Sequence, residues 1–328
     1  MASIIDVSRR GVLLGAAALA ACAPRAKSPG AGVTLRVGTY KGGVQNLLPA
    51  AGLADTPYKV AYSEFAGGNL ITEAISARAI DIGSMSEIPP IFAAGKAPLL
   101  RLAAVQRADV NSQVVLVPDG SAIRTGADLK GRRVGFVKAT TSHYLLLRLL
   151  AESRLTFADI QPVALSPQDG LAAFGRGAID AWVIYGVQGN IARARLNARV
   201  LTTGLGRLSG NFVHAALSEA LDDPARRTAI VDYLGRLQKA YQWGEANAET
   251  WAAAQSKATG VPAEIYLQQH RERSGPTQLG PVTEEAIASQ QQVADTFAKA
   301  GVIPAAVDVR PLWTTALNAD LKSISFLQ

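Results

Sequence analysis

The chain has 328 residues, 48% of them hydrophobic, enough to bury one large core or two medium ones. Its formal charge of +7 is spread without a Lys/Arg block and aromatic residues make up 6%, which argues against nucleic-acid binding and suits a collector of small anions. The single cysteine, Cys22, excludes an internal disulfide and a thiolate metal cluster, and the histidines His143, His214 and His270 show no metal-ligand spacing.

Ser8, Arg9, Arg10 and Gly11 precede the apolar, small-residue run 12–21. That run is too short to span a bilayer and has the positive flank of an export signal, so residues 1–21 read as a signal peptide. The paired arginines point to the twin-arginine route. Leu19, Ala20, Ala21 and Cys22 resemble a bacterial lipoprotein cleavage box, which makes Cys22 the expected lipid-bearing first residue. Residues 22–32, rich in Ala, Pro, Ser and Gly, then form a flexible tether.

The first strand is expected over 35–39, running into Tyr40, Lys41, Gly42 and Gly43 before a helix from about Gln45. Turns of this kind, at the carboxyl ends of parallel strands, are where ligands sit in open α/β sheets, so Tyr40, Lys41 and Gln45 are candidates. A strand over 59–65, an amphipathic helix over 69–78 and a strand over 81–85 follow. Ser86, Glu87, Ile88, Pro89 and Pro90 then open a helix, with prolines where a missing N–H costs nothing. Glu87 at that start either favours the helix dipole or serves as a counter-charge for a cationic group on a ligand.

Strands are expected over 99–106 and 113–118, the second followed by the turn Asp119–Gly120. A strand over 133–137 leads to Ala139, Thr140, Thr141 and Ser142 and a leucine-rich helix reaching about Arg154. Unpaired N–H groups at that helix start, with hydroxyls beside them, make either a capped helix or an anion site. A strand over 160–165, a helix over 168–176 and a strand over 179–185 continue the alternation, with Trp182 expected in the core and Tyr185 at the cleft. Strands over 198–203 and 211–217 flank a Gly-rich passage. That passage and the turn near 118–120 give two connections between two α/β lobes, a hinge. From about residue 224 the chain is helical, over 225–246, 250–259, 263–270 and 283–300. No internal sequence repeat is evident.

The segments EFAGGN (64–69), AIDIGSMSEIPPIFA (79–93), ADLKGRRV (127–134), SHYLL (142–146), DIQPV (159–163) and AAFGRGAIDAWVI (172–184) stand in co-linear order. Together, over about residues 33–215, they resemble the periplasmic solute-binding proteins of ABC importers for aliphatic sulfonates. The resemblance implies a two-lobed α/β periplasmic-binding-protein fold of type II, with a cleft between lobes and a two-stranded hinge. Lobe I would comprise 33–118 plus 211–328, and lobe II 119–210. The function implied is capture of a sulfonate or similar small organic anion outside the cytoplasm and its delivery to an ABC permease. No cofactor and no metal are implied. The expected state is a periplasmic monomer that meets the membrane only through its lipid anchor.

By position, the resemblance assigns ligand contact to Tyr40, Lys41, Gln45, Ser86, Glu87, Thr140, Thr141, Ser142 and His143, with Tyr185, Asn211 and Phe212 touching the organic tail. Two places depart from the family. Ala139, Thr140, Thr141 and Ser142 stand where relatives have Gly-Ser-Asn-Val, and Tyr185, Gly186 and Val187 stand where they have Trp-Asp-Pro. The second departure leaves Glu87 as the acidic candidate and disfavours an amine-bearing ligand such as taurine. The alternatives are a binder of a thiamine-pyrimidine precursor and an enzyme on the same fold such as a desulfinase. The cysteine such a desulfinase would need is absent after Cys22.

Overall fold

A computed structural model describes residues 32–324. The expected signal peptide, the lipidation site Cys22 and nearly all of the tether lie outside the described residues. Strand β1 (Thr34–Thr39) buries Leu35 and Val37 and ends in the turn to α1 (Val44–Ala50). There follow β2 (Lys59–Glu64), α2 (Gly68–Ser76), β3 (Ile82–Ser86), α3 (Pro89–Ala93) and β4 (Leu100–Arg107). The middle of the chain forms β5 (Val114–Pro118), β6 (Arg133–Phe136), α4 (Thr141–Glu152), β7 (Gln161–Ala164), α5 (Pro167–Gly175), β8 (Ala181–Ile184), α6 (Gly186–Arg195) and β9 (Ala198–Thr203). Strand β10 (Asn211–Leu217) returns to the first sheet. It is followed by α7 (Ser218–Asp222), α8 (Pro224–Ala246), α9 (Ala248–Thr259), α10 (Ala263–Glu272), β11 (Gln278–Gly280), α11 (Glu284–Lys299) and α12 (Asn318–Ile324).

The strands make two sheets. The first is six-stranded in the order β11-β4-β10-β3-β1-β2, and the second is five-stranded in the order β7-β6-β8-β5-β9. In each, consecutive βα units pair in parallel (β1 with β2 and β3, β6 with β7 and β8) and an antiparallel strand follows. Helix α4 lays Leu145, Leu146, Leu149 and Leu150 on one face of the second sheet, while Phe174, Ile184 and Trp182 fill the other. Trp182 is fully buried, as its place in a strand covered on both faces requires.

One boundary differs from expectation. Strand β5 pairs with β8 and β9, so the chain crosses between lobes at 108–113, between β4 and β5, and not at the turn after Pro118. The run Val114–Val117 is buried on both faces, and such a run carries no mark of which sheet it joins. The return crossing lies at 204–210, between β9 and β10. Helix α6 is an addition: with two glycines and little large apolar surface, its sequence has a weak helical pattern.

The two lobes repeat one device that no sequence repeat announced. Asp81 accepts the Arg36 backbone N–H at 2.8 Å, its Nε at 3.1 Å and its Nη2 at 2.7 Å. Asp180 takes the same three donors of Arg133, at 2.8, 3.1 and 2.6 Å. In each case the arginine also reaches a carbonyl three residues before the aspartate, that of Arg78 or of Gly177. Arg78 and Gly177 themselves hold left-handed backbone, at φ 59° and 70°. The strand-to-helix turns repeat as well, in step with the arginines: Lys41, Gly42 and Gly43 correspond to Lys138, Ala139 and Thr140. Gly42 and Ala139 are both left-handed, at φ 71° and 60°, and Gly43 and Thr140 both begin a helix.

Candidate functional site

Helices α1, α2, α4 and α6 follow the carboxyl ends of β1, β2, β6 and β8, and each starts without a side-chain cap. Helices α5, α8 and α11 are capped by Ser166, Asp223 and Thr283. An uncapped start leaves backbone N–H groups and the positive dipole end available to an outside acceptor.

The Tyr185 side chain, rooted at one of these uncapped starts, reaches two others. Gly67 begins α2 in the first lobe, while Thr140 begins α4 and Tyr185 begins α6 in the second. A Cβ on Gly67 would stand 3.6 Å from the Tyr185 hydroxyl, and one on Gly68 would stand 3.3 Å from the Tyr40 hydroxyl. The Tyr40 hydroxyl donates to the Ser84 carbonyl at 2.9 Å. Burial, and then the neighbouring Tyr185, hold the Tyr40 phenol far above its usual pKa. The Tyr185 hydroxyl is shut off from solvent, and the Thr140 side chain beside it falls short of a well-formed hydrogen bond. Burial pushes its phenol up to about 12, with Thr140 opposing weakly, so it is a neutral donor at any physiological pH.

The turn hydroxyls point elsewhere. Thr140 donates to the Val137 carbonyl at 2.8 Å, Thr141 to Gln113 Oε1 at 2.6 Å and Ser142 to the Val183 carbonyl at 2.6 Å. Their protons are committed to bracing the turn, and what the start of α4 offers an anion is its backbone N–H groups. Gln45 is likewise internal: it accepts from Thr39 at 2.6 Å and donates to the Tyr40 carbonyl at 2.9 Å. Lys41 is exposed. His143 packs against Phe136, Phe157 and Phe297 at ring separations of 4.8, 5.4 and 5.3 Å. Burial, and then the Lys138 charge, push it down to about 4, so it is a neutral ring in an aromatic cluster.

Ser86, Glu87, Asn211 and Phe212 line a different space, a small cavity at the lobe junction that Thr141 and Tyr144 close from the second lobe. About 10 Å³ of it is open to the centre of a water molecule, room for about one. The sequence candidates therefore fall into separate places. Tyr40, Thr140 and Tyr185 gather at the cleft, and Ser86, Glu87, Thr141, Asn211 and Phe212 surround the junction cavity. Gln45, Ser142 and His143 turn inward, and Lys41 faces solvent.

Gly67 and Gly68 were missed as site residues. Their signal was the EFAGGN segment, a glycine pair before a polar helix start, which served only as a family marker. Gly68 has to be glycine, because a Cβ there would stand 2.8 Å from Met85 Cβ. Among the described residues no cluster of His, Cys, Asp and Glu could hold a metal, and no helix is long and apolar enough to cross a membrane.

Residues 54–206 match the family model described as NMT1/THI5 like. A protein of Escherichia coli (strain K12) named for binding aliphatic sulfonates is 36% identical over 281 residues, covering 84% of this chain and 87% of that one. Among solved structures, the periplasmic aliphatic sulphonate binding protein SsuA from Escherichia coli matches with 34% identity and a TM-score of 0.74, over 86% of this chain and 92% of that one. The alkanesulfonate-binding protein SsuA from Xanthomonas axonopodis pv. citri, solved bound to MOPS, matches with 31% identity and a TM-score of 0.77, over 87% of this chain and 99% of that one.

Proposed function

The chain belongs to the aliphatic sulfonate-binding protein family, and from that premise we propose that it captures a sulfonate between its lobes and hands it to an ABC permease. The observation that carries the reading is the reach of the buried Tyr185 hydroxyl, from the start of α6, to the uncapped starts of α2 at Gly67 and of α4 at Thr140. A sulfonate stays ionised at every relevant pH and accepts through three oxygens. A ring of neutral N–H and O–H donors satisfies it without a buried cation that would itself need compensation. Each hydrogen bond to a charged acceptor contributes about 1.5–3 kcal/mol, so a few of them support micromolar binding after ordering costs. The rings of Tyr40 and Tyr185 offer apolar faces to the organic tail.

Binding without chemistry fits the residues at the cleft. His143 is neutral and packed among aromatic rings, and the single cysteine precedes the folded domain. A periplasmic location follows from the same reading, with export by the leader, through the twin-arginine route, and anchoring at Cys22 as its finer parts. The mature domain, acting as a monomer, would meet the membrane through that anchor and the permease.

Thermal shift and calorimetry against a panel of alkanesulfonates, taurine, nitrate and a thiamine-pyrimidine precursor test the function. Alkanesulfonates should raise the melting temperature and taurine should do so less. A panel in which no sulfonate binds while the pyrimidine does would overturn the reading.

A further inference from the structure

The junction cavity holds a buried carboxyl with no cation beside it among the described residues. Glu87 is 3% exposed. Its Oε1 accepts from Ser209 at 2.5 Å and from Ser289 at 3.3 Å, and its backbone carbonyl accepts from Gln290 at 2.6 Å. Its Oε2 and Asn211 Oδ1 are buried on the same cavity, and the Asn211 side chain is the amide that faces the carboxyl. As that amide is oriented its oxygen meets the carboxyl, an arrangement that a proton on the carboxyl satisfies.

The walls around this carboxyl come from both lobes and from both crossings between them. Ser86, Glu87 and Asn211 belong to the first lobe and Thr141 and Tyr144 to the second, while Val110 and Ser209 lie on the two crossings. Parting the lobes withdraws Thr141 and Tyr144 and lets water reach Oε2. We propose that Glu87 takes up a proton when the lobes close, so that ligand capture is coupled to proton binding at the hinge. This rests on the capture reading above.

The electrostatics agree with the geometry. Burial pushes the closed-form carboxyl up to about 7, against its bonds to Ser209, Ser289 and Asn211 and the more distant charge of Arg107. Arg107 on β4 also acts on Glu285 of α11, and what α4 and β10 bring to the cavity is Thr141, Tyr144 and Asn211, all uncharged. The closed form holds the proton more tightly than the open one. Its advantage is therefore complete below the ordinary carboxyl pKa and is lost as pH rises through about 7.

The test is calorimetry of butanesulfonate binding in pairs of non-sulfonate buffers of different ionisation enthalpy, at pH 6 and pH 8.5, for the wild type and Glu87→Gln. His143 also lies between the lobes and titrates with the opposite sign, so the difference between the two proteins is the quantity to read. The wild type should take up about 0.9 proton more than the variant at pH 6, with the difference vanishing at pH 8.5. Its affinity should fall by about 40-fold in all between pH 5 and 7 relative to the variant. Equal uptake by the two proteins overturns the coupling and leaves ligand capture standing. Absence of binding in both, at either pH, overturns the capture reading and the coupling with it. Should the variant not fold, a ¹³C titration of the wild-type glutamate carboxyls decides: one must titrate near 7 with ligand bound and near its ordinary value without, and none doing so overturns the proposal.

Discussion

Ala139 repeats in the second lobe the left-handed backbone that Gly42 holds in the first, at φ 60° against 71°. A Cβ in that region crowds the following carbonyl and costs about 1–2 kcal/mol, a strain the first lobe avoids by using glycine. The N–H of Ala139 donates to His143 Nδ1 at 3.4 Å and needs no side chain to do so. Ala139→Gly should therefore stabilise the domain by about 1 kcal/mol, less what the unfolded chain gains in freedom. Melting temperature reads this as a rise of about 2 °C. A fall would mean that the Ala139 methyl group packs usefully at the cleft.

Tyr185 keeps its hydroxyl buried and without a well-formed hydrogen bond, a state that costs stability. Tyr185→Phe should leave the melting temperature of the free domain unchanged or raise it slightly. Sulfonate affinity should fall about tenfold, the loss of one hydrogen bond to a charged acceptor. Calorimetry and a melting curve on the same sample separate the two effects. A variant that binds as well as the wild type would remove Tyr185 from the ligand's shell.

The repeated Arg–Asp clasps differ in depth. The Asp81 side chain is fully buried and also faces Arg226 at 3.5 Å, whereas that of Asp180 is 29% exposed. Asp81→Ala removes the acceptor of the Arg36 backbone N–H and of two partly exposed arginines, so it should cost about 3 kcal/mol. Asp180→Ala, with water able to replace part of the loss, should cost about 1–2 kcal/mol. Urea midpoints of the two variants should fall in that order, and equal losses would show that burial does not decide the difference.

Acid should weaken the fold through its buried histidines. Burial pushes His143 and His214 down to about 4, from about 6.5 in an unfolded chain. A histidine held neutral contributes stability that is complete above the unfolded value and is lost as pH falls from about 6.5 toward 4. The loss is at most about 3 kcal/mol per residue. His143→Phe keeps an aromatic ring beside Phe136, Phe157 and Phe297 and removes one titration. Between pH 7 and 4 its stability should fall by about 2–3 kcal/mol less than that of the wild type. Parallel pH profiles in chemical denaturation would exclude His143 as a source of acid lability.

The alternation of strands and helices was legible because each strand is a short apolar run and each major helix has a buried face, as in the leucines of α4. The lobe to which β5 belongs was not, because a strand buried on both faces looks the same in either sheet. At the site, the positions of Tyr40, Thr140 and Tyr185 could be inferred from where strands end. The direction of a hydroxyl could not. Thr141 finds its acceptor on Gln113 and Ser142 on Val183, partners distant in the chain whose proximity only the fold creates. The same holds for the duplicated clasp, whose matching parts are a few scattered residues rather than a run.

That duplication bears on how a ligand is oriented. A sulfonate has a head and a tail, while one strand, turn and helix recurs in each lobe with the same backbone. The bound orientation must come from positions where the copies disagree, and the clearest is the residue before the matched lysines: Tyr40 in one turn, Val137 in the other. Changes at such pairs should turn the bound molecule end for end more readily than changes to the shared framework, which would simply loosen it.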